Sequence, residues 1–130
     1  MAGPDGRVLV LRRSSDDPDN PGRVDFPGGG VDDDEEYAAA AVREIAEEAG
    51  LSVPAQNLQL AYAFTKYKEE ADAILTRLLY ITHTTETAVQ LSHEHDAYWW
   101  RTRQELQTAF ADTSWAPAVD FVLQRNLLEA

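Results

Sequence analysis

The segment from residue 27 to residue 51 constrains the fold most, because helix-breaking residues enclose one stretch of helical periodicity. A proline and three glycines precede the stretch, and Gly50 follows it. We predict a helix that begins at about residue 35 or 36 and runs to Ala49. The acids at 32–34 would supply its N-cap, and Gly50 would end it in the left-handed conformation. Its apolar stripe is Ala38, Ala41, Val42, Ile45 and Ala49.

Three glutamates share one face of this predicted helix. Glu44, Glu47 and Glu48 are spaced i, i+3 and i+4, which at about 100° per residue places them within about one quadrant. Like charges at this spacing repel one another, so a helix selected only for stability would carry a lysine or arginine here. Convergent carboxylates suit hard divalent cations, and oxygen-only ligation suits Mg²⁺ or Mn²⁺. A solvated acidic face is the alternative for a charge run, and the spacing alone leaves both open.

The rest of the chain alternates between short apolar runs and polar turns, so we predict a layered α/β or α+β domain. An apolar run that ends at Arg12 and Arg13 predicts the first strand. The stretches 59–66 and 73–84 predict a hairpin, and both are apolar on both faces near their centres, which is typical of a sheet covered on two sides. The remaining predicted elements are strands at 24–26 and 97–101, a helix at 103–111 and a last helix from about Pro117 that turns Val119, Val122, Leu123 and Leu127 inward.

The composition narrows the class of protein. The 130 residues fit one compact domain. The absence of cysteine excludes a disulfide framework and a thiolate metal site. It also indicates a reducing, cytoplasmic setting. We expect neither a signal peptide nor a membrane span, since no apolar stretch is long enough. A net charge of −12 argues against nucleic acid or an anionic membrane as a partner. The negative charge does not exclude a small phosphorylated substrate, because divalent metals held by carboxylates attract phosphate.

Gly29, Glu35 and the run at 43–51 follow the pattern G-x5-E-x7-R-E-U-x-E-E-x-G-U, where U is aliphatic, at every defined position. This pattern is the Nudix box. The sequence therefore resembles the Nudix hydrolase family, in particular its nucleotide-sanitising, 8-oxo-dGTP-diphosphatase-like branch. The strand that ends in two arginines, the Pro-Gly-Gly sequence, the hairpin and Glu94 ahead of Trp100 extend the resemblance over most of the chain. It implies one Nudix domain over residues 1–130, an α/β/α sandwich around a mixed β-sheet.

The resemblance implies a role for each box residue. The three helix glutamates would ligate the catalytic Mg²⁺ or Mn²⁺ ions. The backbone carbonyl of Gly29 would add a further ligand, which explains a glycine at that close approach. Arg43 would orient the glutamates through ion pairs, and Glu35 would support them or make an outer metal contact.

Outside the box, the resemblance implies three further contacts. Glu94 would serve as a metal ligand or as the general base. Arg13 would grip substrate phosphate, and Phe26 would flank the base or belong to the core. The neighbouring His93 and His95 are predicted to be solvated loop side chains. Three hairpin aromatics either belong to the core or line a base pocket: Tyr62, Phe64 and Tyr67.

The implied function is metal-dependent hydrolysis of a phosphoanhydride bond in a small nucleotide. The substrate would be a nucleoside diphosphate linked to another moiety or a (modified) nucleoside triphosphate. The alternative is a non-catalytic module that binds or senses a nucleotide or a nucleotide sugar. Such relatives usually lose one or more metal glutamates, whereas all three are present here.

Two of the departures from the family pattern bear on assembly and on the substrate. Only seven residues precede Val8, so the usual first strand is absent or supplied otherwise, and the open edge favours a homodimer. Val119 stands where relatives that read 8-oxoguanine carry an asparagine. Valine has no hydrogen-bonding group, which weakens oxidised guanine as the expected substrate.

Overall fold

A computed structural model describes residues 1–129 of the chain, and it confirms the predicted mixture of strands and helices. Element boundaries differ from the predicted ones by a few residues at most. No helix in the described part is long and apolar enough to cross a membrane. The strands are β1 (Val8–Arg13), β2 (Val24–Asp25), β3 (Gln59–Lys68), β4 (Ala73–Ile81) and β5 (His95–Arg101). The α-helices are α1 (Tyr37–Ala49), α2 (Arg103–Phe110) and α3 (Ala116–Gln124), and short 3₁₀ turns lie at Ala55–Asn57 and Glu69–Ala71.

The strands form two antiparallel sheets that meet at the N-terminal backbone. β1 lies between β2 and β5 in one sheet, and β3 and β4 form a hairpin. Ala2 bridges the two sheets, since it pairs antiparallel with Val8 and parallel with His83. The Ala2 N–H donates to the Thr82 carbonyl, and the Ala2 carbonyl accepts from the Thr84 N–H, both at 2.9 Å. The parallel bridge makes the arrangement mixed, as the sequence predicts.

β1 is the centre of the core, because both of its faces are buried. Val8 and Val10 face α2 and α3, whereas Leu9 and Leu11 face α1 and contact the cluster that contains Ile45. These four strand side chains are at most 3% exposed, and burial of such a side chain contributes about 1.5–3 kcal/mol. The two clusters produce the layers of helix, sheet and helix, and they hold α1 against the sheet.

The start of α1 differs from the sequence prediction. Glu36 occupies the N-cap position, and no side chain caps the helix. The acids at 32–34 precede the helix in a turn, in which the Glu35 N–H donates to the Asp32 carbonyl and the Asp32 N–H donates to the Glu35 carboxylate. The prediction that these acids cap α1 is therefore wrong, because the turn takes them away from the helix end. The C-terminal end of α1 agrees with the prediction, since Gly50 has a φ of 68° and its N–H donates to a carbonyl of the last turn.

The β3–β4 hairpin is covered only in part, from the side of α3, so the prediction of a sheet covered on both sides is wrong. Ile74 is 71% exposed. Tyr62 contacts Phe121 and Phe64 contacts Trp115, each with ring centroids 5.3 Å apart. A nine-residue helix is about 13 Å long, whereas a ten-residue strand spans about 33 Å. α3 is therefore too short to shield the whole hairpin.

Candidate active site

The loop between β2 and α1 lies against the carboxylates of the helix. A Cβ atom on Gly29 would stand 2.5 Å from the carboxyl carbon of Glu44, so only glycine fits there without displacing Glu44. The Gly28 N–H donates to Glu48 Oε1 at 2.7 Å. The breaker residues of this loop leave its backbone free to follow α1. The loop backbone is therefore in contact with two of the three predicted metal ligands.

Arg43 connects the acids of this site. Its Nε and Nη2 atoms donate to the two Glu35 oxygens, both at 3.0 Å, and Nη1 donates to Glu44 at 2.9 Å and to Glu47 at 3.3 Å. Nη2 also donates to the Gly30 carbonyl at 2.9 Å. The hydrogen bond from Arg43 is the main cause that lowers the pKa of Glu35 to about 2, and the same bonds raise the pKa of Arg43. Glu35 therefore acts on the helix glutamates through Arg43.

Glu48 is the most enclosed of the three helix glutamates, with 2% of its surface exposed. Burial raises its pKa to about 8; the Gly28 N–H opposes this rise, and the charges of Glu44 and Glu94 add to it. Burial also raises the pKa of Glu44, whereas the Glu47 side chain is 57% exposed. A buried carboxylate is costly in its charged form unless a cation is near. The charge pattern of the site therefore favours a bound cation.

His95 is a buried residue of β5, so the prediction of a solvated loop histidine is wrong for it. Its ring Nδ1 lies 3.8 Å from Glu48 Oε2, and neither ring nitrogen has a hydrogen-bond partner among the described residues. Burial is the main cause that lowers its pKa, which disfavours the charged ring. The prediction started β5 at Ala97, but the strand continues back to His95, which pairs with Arg13 beyond a shift in the β1–β5 register. His93 is exposed, as predicted.

Arg13 and Glu94 lie together at the end of β1, with their nearest nitrogen and oxygen 4.0 Å apart. The Glu94 side chain is 47% exposed. Two aspartates that the sequence analysis missed hold the Arg13 guanidinium: Asp17 at 2.9 Å and Asp25 at 3.3 Å. The pairing of β1 with β2 brings Asp25 beside this strand end, and no local pattern reveals that register. The positive charge of Arg13 is therefore neutralised by Asp17 and Asp25 before any substrate binds.

A cleft of about 790 Å³ opens between the glycine loop, α1 and β4. Arg13, the glycines at 28–30 and Trp115 are among its lining residues. Phe26 also lines it, stacks on Phe110 at 4.3 Å and meets Trp115 edge-on at 5.8 Å, so this side chain belongs both to the cleft and to the core. The volume is typical of sites for small molecules.

The three hairpin aromatics have different surroundings. Tyr62 and Phe64 pack towards α3, as core side chains do. Tyr67 is 58% exposed and donates its hydroxyl hydrogen bond to Asp72 at 2.6 Å. For Tyr62 and Phe64 the core alternative therefore agrees with the structure.

Comparison with known protein families identifies the family, because the sequence of residues 1–121 matches the family model of the NUDIX domain. The chain belongs to the NUDIX family. The MutT protein from Methanosarcina mazei Go1 has a similar structure, with a TM-score of 0.76, 26% sequence identity and coverage of 97% of this chain and 87% of that chain. The fold described above is therefore the Nudix fold.

Two curated relatives share parts of this Nudix domain. An RNA pyrophosphohydrolase from Acidiphilium cryptum is 47% identical over 45 residues, which are 35% of this chain and 27% of that protein. An octanoyltransferase from Myxococcus xanthus is 34% identical over 99 residues, which are 75% of this chain and 27% of that protein. The chain thus spans about a quarter of the length of the curated relatives it matches.

The donors of this Nudix site fit a hard divalent cation. Carboxylate oxygens and a backbone carbonyl are the ligands that such ions prefer. Burial is the main cause that raises the pKa of Glu44 and of Glu48, although Arg43 bonds to Glu44, and the absence of a side chain at Gly29 lets the Glu44 carboxylate lie against the loop backbone. Within residues 1–129, no three acidic or histidine side chains already stand close enough to hold an ion together. Binding would therefore require the glutamate side chains to converge.

Proposed function

We propose that this Nudix domain is a magnesium-dependent pyrophosphohydrolase that cleaves a phosphoanhydride bond in a small nucleotide. The substrate is a nucleoside diphosphate linked to another moiety or a (modified) nucleoside triphosphate. The observation that carries the proposal is the complete set of helix glutamates next to a cleft of nucleotide size, with Glu44 and Glu47 held by Arg43 and Glu48 held by the Gly28 N–H. The nucleotide-sanitising branch stays the expected one, but the apolar Val119 in the cleft wall supports no particular oxidised base.

Five residues would hold the Mg²⁺ ions, or Mn²⁺ in their place: Gly29 through its carbonyl, and Glu44, Glu47, Glu48 and Glu94 through their carboxylates. Such ions neutralise phosphate charge and acidify water when bound. The protein contributes order before binding, since Gly28 fixes one oxygen of Glu48 and Arg43 fixes Glu44. Ordered ligands reduce the conformational cost of assembling the site.

Glu94 is the first candidate for the general base. Its side chain is half-exposed and lies outside the Arg43 network, so it can approach a water molecule at the edge of the cleft. Glu47 is the second candidate, because its side chain is also exposed although Arg43 holds one oxygen. Arg13 would contact the substrate phosphate, and its two aspartates set the direction of its guanidinium.

The expected partner is a small molecule and not nucleic acid, because a net charge of −12 repels a polyanion. A cytoplasmic location, expected from the cysteine-free composition, and a homodimer remain predictions.

A phosphate-release assay over a panel of nucleotides tests the proposed function. Each nucleotide is incubated with and without Mg²⁺, and the stopped reactions are then treated, with Mg²⁺ restored, with or without inorganic pyrophosphatase for triphosphates and with or without alkaline phosphatase for diphosphates linked to another moiety. Glu48→Gln serves as the matched inactive variant. We expect Mg²⁺-dependent release that the variant loses, and a requirement for pyrophosphatase identifies pyrophosphate as the product. Binding of nucleotides in calorimetry without turnover of any of them would instead support the non-catalytic sensor.

A further inference from the structure

The cations that line the cleft differ in how their charges are balanced. Arg13 is paired with Asp17 and Asp25. Arg77, on β4, also lines the cleft and is partly buried. Within residues 1–129 it has neither an ion pair nor a hydrogen bond from its side chain. Its guanidinium carbon lies 5.4 Å from the centroid of the Trp115 ring, in a cation–π arrangement.

Trp115 is held in place by aromatic neighbours on different elements. Phe64, the β3 partner of Arg77 in the hairpin register, meets it edge-on at 5.3 Å. Phe26 meets it edge-on at 5.8 Å from the loop side of the cleft. This part of the cleft therefore combines aromatic and apolar walls, including Val119, with the forked donor of Arg77. A partly buried guanidinium without an acid has hydrogen-bonding capacity available for a ligand.

The geometry points to Arg77 as the residue that selects the base of the substrate, with a preference for a 6-oxopurine such as guanine or hypoxanthine. The fork of an arginine matches the adjacent O6 and N7 acceptors of a 6-oxopurine, whereas adenine presents an amino donor at position 6. Trp115 and Phe26 supply the aromatic surface against which a base packs. The inference rests on the proposed function, since it assigns the base end of the same cleft.

The phosphate end of the same cleft is the glycine loop, which contacts the helix glutamates. Phe26 stands two residues before Gly28, whose N–H contacts Glu48. Phe26, the glycines at 28–30, Arg13 and Arg77 all line one cleft of about 790 Å³, which has room for a base, a ribose and phosphates. Phosphate is thus expected at the glycine loop and Arg13, and the base at Arg77.

Binding of GMP, IMP and AMP, measured by calorimetry in the presence of Mg²⁺, tests this assignment without any need for turnover. Arg77→Met keeps a flexible side chain over Trp115 but removes the donors. It should weaken GMP and IMP binding about tenfold or more and leave AMP binding within about twofold. Arg77→Lys keeps the charge but loses the fork, so it should also lose the preference for GMP over AMP. Lys68→Met removes another cation of the same cleft and should affect the three nucleotides alike.

Three results would overturn the assignment. An equal loss for all three nucleotides in Arg77→Met would make Arg77 a general anion contact. Unchanged binding in Arg77→Met would mean that Arg77 has only a structural role. If the wild-type protein binds AMP as well as or better than GMP, or binds none of the three nucleotides, it has no 6-oxopurine site. These binding results are independent of the phosphate-release assay, which measures hydrolysis, so failure of the base assignment can be distinguished from failure of the proposed function. Thermal unfolding of each variant verifies that the protein is folded before binding is compared.

Discussion

In the segment from Gly28 to Gly50, Arg43 links several acidic side chains, whereas in the β3–β4 hairpin large apolar side chains such as Ile74 are exposed to solvent. Arg43 alone bonds to Glu35, Glu44 and Glu47. The hairpin strands pair with each other along their length, but their outer part has little cover. The two regions therefore have different tasks: α1 is held on the buried strand β1 and carries the residues proposed for the chemistry, and the hairpin forms a wall of the cleft.

The largest effect is expected from Glu48→Gln. Loss of a metal-ligating charge should lower kcat about a thousandfold, equivalent to about 4 kcal/mol of transition-state stabilisation. The free energy of unfolding should stay the same or rise, because the neutral amide avoids the cost of protonating or burying the Glu48 carboxylate, whose pKa burial raises from 4.5 to about 8. Steady-state kinetics and urea unfolding measure the two quantities. Mg²⁺ should raise the Tm of the wild type more than that of the variant, and near-native turnover would contradict the assignment.

A smaller loss, about a hundredfold, is expected for Glu94→Gln, because removal of a general base typically costs 10²–10⁴-fold and Glu94 lies on the exposed rim of the site. Profiles of rate against pH at low and saturating Mg²⁺ separate its two roles. If Glu94 is the base, higher pH restores the rate by supplying hydroxide; if it is a ligand, extra Mg²⁺ restores it. Full activity of the variant under both conditions would show an ordinary surface acid and direct attention to Glu47.

Gly29→Ala tests how closely the loop must approach α1. The new methyl group would overlap the Glu44 carboxylate, so kcat should fall about tenfold or more as Glu44 is displaced. Gly30→Ala is the matched control, because a Cβ there meets nothing within 4 Å, and it should keep near-native activity. Equal activity of the two variants would mean that the glycine at position 29 is not required for the site.

The smallest effect is expected in the hairpin, where Ile74→Ala should change the free energy of unfolding by less than about 0.5 kcal/mol. Ile45→Ala is the counterpart in α1, and it should cost about 2–5 kcal/mol because Ile45 is 7% exposed and Ile74 is 71% exposed. Urea denaturation of both variants compares the regions directly. A large loss for Ile74→Ala would show that a partner or a second copy covers this strand in solution.

The site could be predicted from sequence where neighbours in the chain are neighbours in space. The spacing of Glu44, Glu47 and Glu48 follows from helical geometry alone, and so does the end of the helix at Gly50. The start of the helix was less predictable, because the Glu35 side chain can cap a helix or bond to a distant arginine, and the chain folds into the second arrangement.

Contacts between distant segments were decided by the tertiary structure. The sequence by itself determined the family pattern, α1 and the candidate metal ligands, because these depend on short-range periodicity and fixed spacing. Only the folded chain placed buried His95 beside Glu48, balanced Arg13 with Asp25, and set Arg77 over Trp115. Each of these pairs joins residues from separate strands, loops or helices, and their proximity depends on strand register and on which face packs inward. Local propensity carries no information about either.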